Sequence, residues 1–499
     1  MPGGAGLEWA GGYVADSTYR IAFQAAQTPS HLAVVCAMAG ITWQPRERMH
    51  IADLGCGRGY TVNLLAAANP DWTVLGLDHN PVHVAEGMQT AAQAGLGNAL
   101  FQEADLALMS DAELDLIPPL DVVMLHGVWS WVSDAVREGV VRLLARRLKP
   151  GGLLYVGYNA LPGAGVDLAL QRLLRHLAGP ITGGAGSAAA AASLAMERLR
   201  AMAPALKLHP SAMLARLLAE PPGLEPAFVA HEFLTEHWRP VFHEDLCAAL
   251  LPAKLEFVGS SNLFEAMPAL YCQGPELTLL EALPAGTPRE LLKDLCLPRG
   301  FRADVFIRGA RKQDAVTAMD SVILGATRTL PEESPSLGMG RAQAAMAQPV
   351  WEALVGALAG GAQSVGALRA ALGPGAPHGR ELLALLLGIE YAMPVYRGRG
   401  TAAAASRFNR TASAIHAEGG AGRGHFALAS PVAAGGLAAS AFELTLVNAL
   451  LEGADADDPG ELARQLRPEA PPDALDRAAD QVAATLAERM HVWQRFGIL

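Results

Sequence analysis

The chain has 499 residues, enough for about two to four domains with cores of their own. Its 38 Lys and Arg against 49 Asp and Glu give a formal charge of -11, which argues against a general nucleic-acid binder, since phosphate neutralisation needs a basic face. Hydrophobic residues make up 51%, much of it alanine, and no apolar run reaches the ~18 residues of a transmembrane helix, so membrane insertion is not expected.

The N-terminus, Met-Pro-Gly-Gly-Ala-Gly-Leu-Glu, has neither a basic n-region nor an apolar h-region, so no export signal is read. Five cysteines are scattered without metal-ligand spacing, which suits reduced thiols in a cytoplasmic protein without a metal site. Tyr13, Tyr19 and Phe23 lead into Gln27-Thr28-Pro29, and an apolar helix is expected over about 31 to 39.

The stretch that organises the chain comes next. Ile51-Ala-Asp53-Leu rises to an acid and breaks into Gly55, Cys56, Gly57, Arg58 and Gly59, ahead of an apolar helix over 60 to 68. Strand, glycine turn and helix open a doubly wound nucleotide-binding sheet. Without a β-carbon, glycines let backbone N–H groups approach a ligand and accept a sharp turn. Dinucleotide loops prefer G-x-G-x-x-G with a pyrophosphate at the helix N-terminus. Here the glycines alternate behind Asp53, which repels a phosphate and suits a cation. S-adenosyl-L-methionine, with an ammonium and a sulfonium, is such a ligand.

The stretch resembles motif I of the class I methyltransferases. That resemblance implies an α/β fold with a Rossmann-like, doubly wound, seven-stranded sheet. It also implies cofactor contacts at Asp53, Gly55, Cys56, Gly57 and Gly59, and a leader carrying Tyr19 that folds over the cofactor. A leader that merely packs on the sheet is the alternative.

Later strand ends fit the same site. Trp72-Thr-Val-Leu-Gly-Leu-Asp78 closes on an acid placed to accept both hydroxyls of a ribose, with His79 beside it; a turn or helix cap before Asn80-Pro81 competes. Asp105 and Leu106 resemble the family residues that meet the adenine amino group and ring, against a plain N-cap before Ala107. The fourth strand, 120 to 126, runs into Gly127-Val-Trp129-Ser-Trp131. Its carboxyl end faces the reacting group, so His126 is expected beside the cofactor, to orient or deprotonate a nucleophile. Trp129 offers an aromatic face for a cation, or else packs with Trp131 under the next helix. The Asn/Asp-Pro-Pro-aromatic signature of enzymes acting on exocyclic amines and glutamine amides is absent.

Leu148-Lys-Pro-Gly-Gly152 is a second mark of the methyltransferase fold and precedes a fifth strand over 153 to 158. Tyr158 and Asn159 are expected to line the acceptor channel, with a simple turn at 159 to 163 as the alternative. A helix over 166 to 178 then leaves the sheet, and the low-complexity stretch from Gly183-Gly-Ala-Gly-Ser is expected to begin a helix after a flexible linker. Residues 194 to 250 are helical in pattern. His231 and His237 stand six apart, whereas zincin ligands stand four apart on one helix face, so a metal is not read there.

Residues 254 to 259 and 301 to 309 alternate as strands and suggest, with the helices of 194 to 296, a second compact unit. His231-Glu-Phe-Leu-Thr-Glu-His-Trp238, Leu255-Glu-Phe-Val-Gly-Ser-Ser-Asn262 and Phe301-Arg-Ala-Asp-Val-Phe-Ile-Arg-Gly309 resemble the methyltransferase regulatory domain. That domain follows a class I core in a bacterial family that includes the rickettsial lysine methyltransferases of outer-membrane proteins. His126-Gly-Val-Trp-Ser-Trp-Val and Tyr158-Asn-Ala-Leu-Pro-Gly163 fit the same family, and the resemblance spans about 13 to 310. Ala164 departs from it where an aromatic is expected.

Beyond Pro335 the chain is Ala/Gly-rich, with helical patterns at 341 to 359, 364 to 372, 380 to 388, 440 to 452 and 473 to 490, a short strand within 391 to 396 and a glycine-rich stretch near 418 to 424. Three helices and a short strand have winged-helix character, though without the basic face that DNA needs. The expected organisation is a cofactor-binding domain over 1–178, a mostly helical α+β middle domain over 179–330, and a helical C-terminal domain over 331–499. The expected function is S-adenosylmethionine-dependent methyl transfer to lysine side chains of a protein partner, in the cytoplasm, with no nucleic acid and with a homodimer left open. A small-molecule methyltransferase, or a cofactor-binding regulatory protein without transfer activity, is the alternative.

Overall fold

The computed structural model describes residues 12, 14, 21–179, 187–220, 223–297, 299–339, 342–396, 403–418 and 425–499. Tyr13, Tyr19 and the glycine-rich stretches at 183–186 and 419–424 lie outside the described residues.

Its centre is one mixed sheet. The strands are β1 (His50–Leu54), β2 (Thr73–Asp78), β3 (Ala99–Glu103), β4 (Leu120–His126), β5 (Leu148–Asn159), β6 (Leu255–Ser260) and β7 (Phe301–Arg308), in the order 3-2-1-4-5-7-6. β1 to β5 pair in parallel, and β7 runs antiparallel to both β5 and β6. The near-continuous apolar runs of β1, β2 and β4 are what a sheet covered on both faces requires.

Alternation along each strand divides the core. Ile51, Val74, Met124, Tyr155 and Val305 face α1 (Pro29–Met38) and α2 (Tyr60–Ala68). Ala52, Leu75, Leu125, Tyr158 and Phe306 face the opposite side, under α5 (Asp134–Arg147). The remaining helices of this layer are α3 (Pro81–Gln93) and α4 (Asp111–Leu116). α6 (Leu168–Ala178), α7 (Ser187–Met202), α8 (Ala212–Leu218) and α9 (Pro226–Phe233) close a separate small core around Leu174, Leu199 and Phe233. α10 (His243–Leu250) lays Leu246 and Leu250 onto the Phe306 face, and α11 (Pro275–Ala282) and α12 (Thr287–Cys296) join β6 to β7.

The two segments read as strands of a second unit complete the main sheet instead. Their alternation marks them as strands, but the pairing of β7 with β5 spans well over a hundred residues of chain, and no local pattern carries it. A buried ion cluster holds this junction. Arg302 is fully buried, with its guanidinium 2.9 Å from Glu290 Oε2, 2.9 Å from Asp294 Oδ2 and 2.9 Å from Asp304 Oδ2. Arg299 pairs with Glu265 and Asp294 beside it.

The C-terminal part begins with α13 (Ala315–Asp320), β8 (Ile323–Ala326) and a hairpin of β9 (Ser336–Met339) and β10 (Ala342–Ala345). The helical pattern expected from 341 thus begins only at α14 (Gln348–Ala359), because the first residues pair with β9. β11 (Gln363–Ser364), α15 (Val365–Leu372), α16 (Gly379–Gly388) and β12 (Ala392–Pro394) follow, with β11 and β12 on either side of β8. Then come α17 (Ala403–Glu418), the hairpin β13 (Phe426–Ser430) and β14 (Gly435–Ala439), α18 (Ala441–Leu451), α19 (Pro459–Leu466) and α20 (Pro472–Arg495). The last hairpin braces the helix behind the glycine loop: Tyr60 Oη donates to Ala427 O at 2.7 Å, and Asn69 Nδ2 donates to Ala434 O at 3.2 Å. Among the described residues no helix is long and apolar enough to cross a membrane.

Removing the cation from the junction tests its role. Arg302→Ala takes the shared cation from three buried acids, leaving Glu290, Asp294 and Asp304 to Lys293, Arg299 and His243, and should cost about 3–5 kcal/mol, read as a lower urea midpoint for the transition that exposes Trp238; an unmoved midpoint would show the cluster to be ornamental.

Candidate active site

The sheet order reverses between β1 and β4, and the candidate site lies at the carboxyl ends of β1, β2 and β4 around that point. Gly55, Gly57 and Gly59 have φ of 73°, 53° and 73°, the left-handed region. A β-carbon on Gly55 would meet Val128 at 2.4 Å and one on Gly59 would meet Phe101 at 2.4 Å, whereas one on Gly57 would meet nothing within 4 Å. Gly55 and Gly59 are therefore required by packing, and Gly57 faces open space.

Asp78 ties this loop to the second strand. Its Oδ2 accepts the Gly57 N–H at 2.8 Å, and its Oδ1 accepts the Asn80 N–H at 2.9 Å. The turn at Asn80, which caps α3 through Val82 N at 3.0 Å, and a ligand role for Asp78 are thus compatible. Burial opposes the charge of Asp78, but the His83 ring and the Asn80 and Gly57 amides hold the carboxyl below its ordinary range. His79 is half-buried at the end of β2.

Asp53 is the informative residue. It is 5% exposed, and among the described residues no hydrogen bond or ion pair reaches its carboxylate. Burial first, and the Asp78 charge second, push its pKa up to about 7. An unpartnered buried acid of this kind fits the ammonium or sulfonium of S-adenosylmethionine and rejects a phosphate. The Cys56 thiol is pushed well up by burial, Asp53 and Asp78, so it stays protonated, and it fills the space over Gly76.

At the end of β3 Asp105 is exposed, and its Oδ1 accepts the Ala107 N–H at 2.9 Å as a turn cap. Leu106 is buried among Ala104, Met109 and Val140, and its carbonyl lies against Gly139 of α5.

The acceptor side is built on one face of the sheet. The His126 ring stacks on Tyr155 with its Nδ1 2.9 Å from Tyr155 Oη, and Phe301, 39% exposed, lies 5.4 Å away. Burial lowers the His126 pKa to about 4 and pushes Tyr155 up, so the ring is neutral and the phenol protonated at neutral pH. Asn159 shares this face: its Oδ1 accepts from Trp238 Nε1 at 3.1 Å and its Nδ2 donates to Gly300 O at 3.3 Å. Tyr155, Trp238 and Phe301 were not read from the sequence as site residues, and two of them come from the segment that resembles the regulatory domain.

Two expected residues lie elsewhere. Tyr158 is fully buried on the opposite face, where its hydroxyl donates to Asp304 Oδ2 at 2.6 Å with His243 Nδ1 at 3.4 Å. A strand's side chains alternate, so Tyr158 cannot share a face with Asn159. Trp129 is 3% exposed in the core under α5; the Arg137 guanidinium lies 5.9 Å from its ring, and Arg137 Nε donates to its carbonyl at 2.8 Å.

Comparison with known proteins agrees with this geometry. Residues 51–152 match a methyltransferase domain, and residues 225–308 match a predicted methyltransferase regulatory domain. An uncharacterized protein of Synechocystis sp. is 29% identical over 308 residues, covering 61% of this chain and 59% of that protein. An uncharacterized protein of Rickettsia prowazekii is 26% identical over 29% of this chain and 57% of its own length. The chain therefore spans less than two thirds of these curated relatives. A trans-aconitate 2-methyltransferase of Methylobacterium nodulans is 35% identical over 29% of this chain and 49% of that enzyme. The structure of PKMT2 from Rickettsia typhi in complex with AdoHcy superposes with a TM-score of 0.67 at 16% identity, covering 97% of this chain and 99% of that one. The fold is shared along nearly the whole length, and the core is an S-adenosylmethionine-dependent methyltransferase domain.

Two substitutions test the donor half. The Asp53 pKa of about 7 lies above its ordinary 3.8, so on its account the ligand-free chain loses stability as pH rises between those values. Asp53→Asn should therefore raise the thermal midpoint of the ligand-free protein at pH 8 while weakening S-adenosylmethionine about tenfold or more. It should also abolish the fall in affinity of the parent chain below pH 7; a pH-independent parent Kd would refute the role. Asp78→Ala should weaken the cofactor by about 1–3 kcal/mol in calorimetric titration, and an unchanged Kd would remove the ribose contact.

Proposed function

We propose that this chain transfers the methyl group of S-adenosylmethionine to lysine side chains of a protein substrate. The observation that carries the acceptor half is the wall at the end of β4, where His126, Tyr155, Asn159, Phe301 and Trp238 meet and none is charged at neutral pH. Such a wall suits an amine that must be neutral to react and an aromatic face that tolerates it as a cation on arrival. A polycarboxylate acceptor such as trans-aconitate calls for Arg or Lys partners, and this wall supplies none. The fold shared with PKMT2 of Rickettsia typhi over 97% of the chain supports the same reading, because the trans-aconitate 2-methyltransferase of Methylobacterium nodulans matches 29% of it.

S-adenosylmethionine supplies an electrophilic methyl on a sulfonium, displaced in line by the nucleophile. Asp53, the Gly57 loop and Asp78 would hold the donor, with Asp105 and Leu106 in the turn beside it and His79 next to Asp78. The protein's main contribution is alignment, worth up to about 7–11 kcal/mol in favourable intramolecular cases. A lysine must also shed a proton. Moving it from a reference pKa of ~10.4 to His126 at about 4 is uphill by roughly 9 kcal/mol. His126 is accordingly an orienter, its Nδ1 fixed by Tyr155. The amine must therefore lose its proton to bulk solvent before it is aligned, and desolvation beside Phe301 and Trp238 favours that neutral form.

Incubation with methyl-labelled cofactor and cell lysate should place the label in protease-sensitive material that yields methyllysine on hydrolysis; label confined to small molecules would overturn the proposal. Phe301→Ala should lower kcat/KM for the protein substrate about tenfold without changing cofactor Kd. The rate should rise with pH toward the lysine pKa, and His126→Asn should lower kcat yet keep that rise. Loss of the rise in the variant would make His126 the base after all.

A further inference from the structure

A cavity of about 580 Å³ opens off the outer edge of the sheet, between the end of α1, β6, α12 and the start of α16. Its size is that of a small-molecule site, and β5 and β7 separate it from the crevice between β1 and β4. The floor is apolar, with Val35, Met38, Phe257 and Leu263. The charged lining is Arg289, Lys293, Lys312 and Arg380 against Glu265 and Glu290.

Those two acids are already committed. Glu265 pairs with Arg299, and Glu290 pairs with Lys293 at 2.6 Å and Arg302 at 2.9 Å. Among the described residues no carboxylate pairs with Arg289, Lys312 or Arg380. The Arg380 guanidinium donates to Met38 O at 3.2 Å, and among the described residues the Nε groups of Arg289 and Arg380 are sealed from solvent with no acceptor. In a chain with 49 acids against 38 bases, three cations without an acid on one cavity leave a net positive charge of two in the lining. A metal ion is repelled there, and a concave pocket of this volume has no room for a nucleic-acid duplex.

We propose that this cavity binds a small organic phosphate. Arg289, Lys312 and Arg380 hold the dianionic head, since guanidinium forks match phosphate oxygens, and the floor receives the apolar body.

The test is calorimetric titration of the full chain, with S-adenosylhomocysteine in excess to fill the donor crevice, using phenyl phosphate, inorganic phosphate and phenol. Phenyl phosphate should bind, inorganic phosphate at least about tenfold more weakly, and phenol not at all. Lys312→Glu replaces an exposed side chain with no bond to lose and should weaken phenyl phosphate at least about tenfold, as should Arg289→Ala. Arg477→Glu on α20 should leave it unchanged. No binding to the parent chain, equal binding to Lys312→Glu, or binding of phenol as tight as that of phenyl phosphate would each overturn the proposal.

Discussion

Burying Asp53 without a partner, one strand away from Asp78, works against the stability of the ligand-free chain, and much of the surrounding structure makes that burial tolerable. β1 is fixed between β2 and β4. The glycine loop is clasped to Asp78 through Gly57, and Val128 and Phe101 fill the positions where side chains on Gly55 and Gly59 would stand. α2 behind the loop is braced by the C-terminal hairpin through Tyr60 and Asn69. A rigid frame keeps the acid from relaxing into water, so its charge is left to be matched by a ligand. In these terms the C-terminal segment supports the donor site from behind.

The acceptor side depends on a different constraint. Arg302 draws Glu290, Asp294 and Asp304 into one buried cluster, and that cluster fixes α12 against β7. Since β7 pairs with β5, Phe301 is set opposite Asn159 in the register, and its ring reaches His126. Trp238, from the same matched regulatory segment, closes on Asn159 from the other side. The segment is thus structurally part of the catalytic sheet, so a change of position at α12 or β7 would move the acceptor wall directly.

The donor half was legible because it is local. Asp53 and the glycines belong to one strand, turn and helix, and Asp78 closes the next strand, so their candidate chemistry follows from charge and spacing. The fold class was legible for the same reason, as five of the seven strands follow one another in sequence. The acceptor half was only partly legible. Tyr158 was misassigned although period-two alternation sets it opposite to Asn159, so a signal existed and was outweighed by adjacency in the sequence. Trp129 offered two readings that composition could not separate; its carbonyl bond to Arg137 and its place under α5 decide for packing. Phe301 and Trp238 lie in quoted motifs but carried no signal of a place in the site, because the approach of Phe301 to His126 and of Trp238 to Asn159 brings together segments distant in the chain.

Magnitudes then decide what His126 does. A ring that is neutral because it is buried can accept or donate a hydrogen bond, and in the lysine reaction proposed above a pKa of about 4 would make it a poor acceptor of the ammonium proton. The same burial that lowers its basicity disfavours any charged group beside the ring. A neutral amine benefits from this, whereas an ammonium would have to leave its hydration behind with no carboxylate to replace it. Selection for the neutral nucleophile can therefore be exercised by the wall itself, with alignment rather than base catalysis as the larger part of the work.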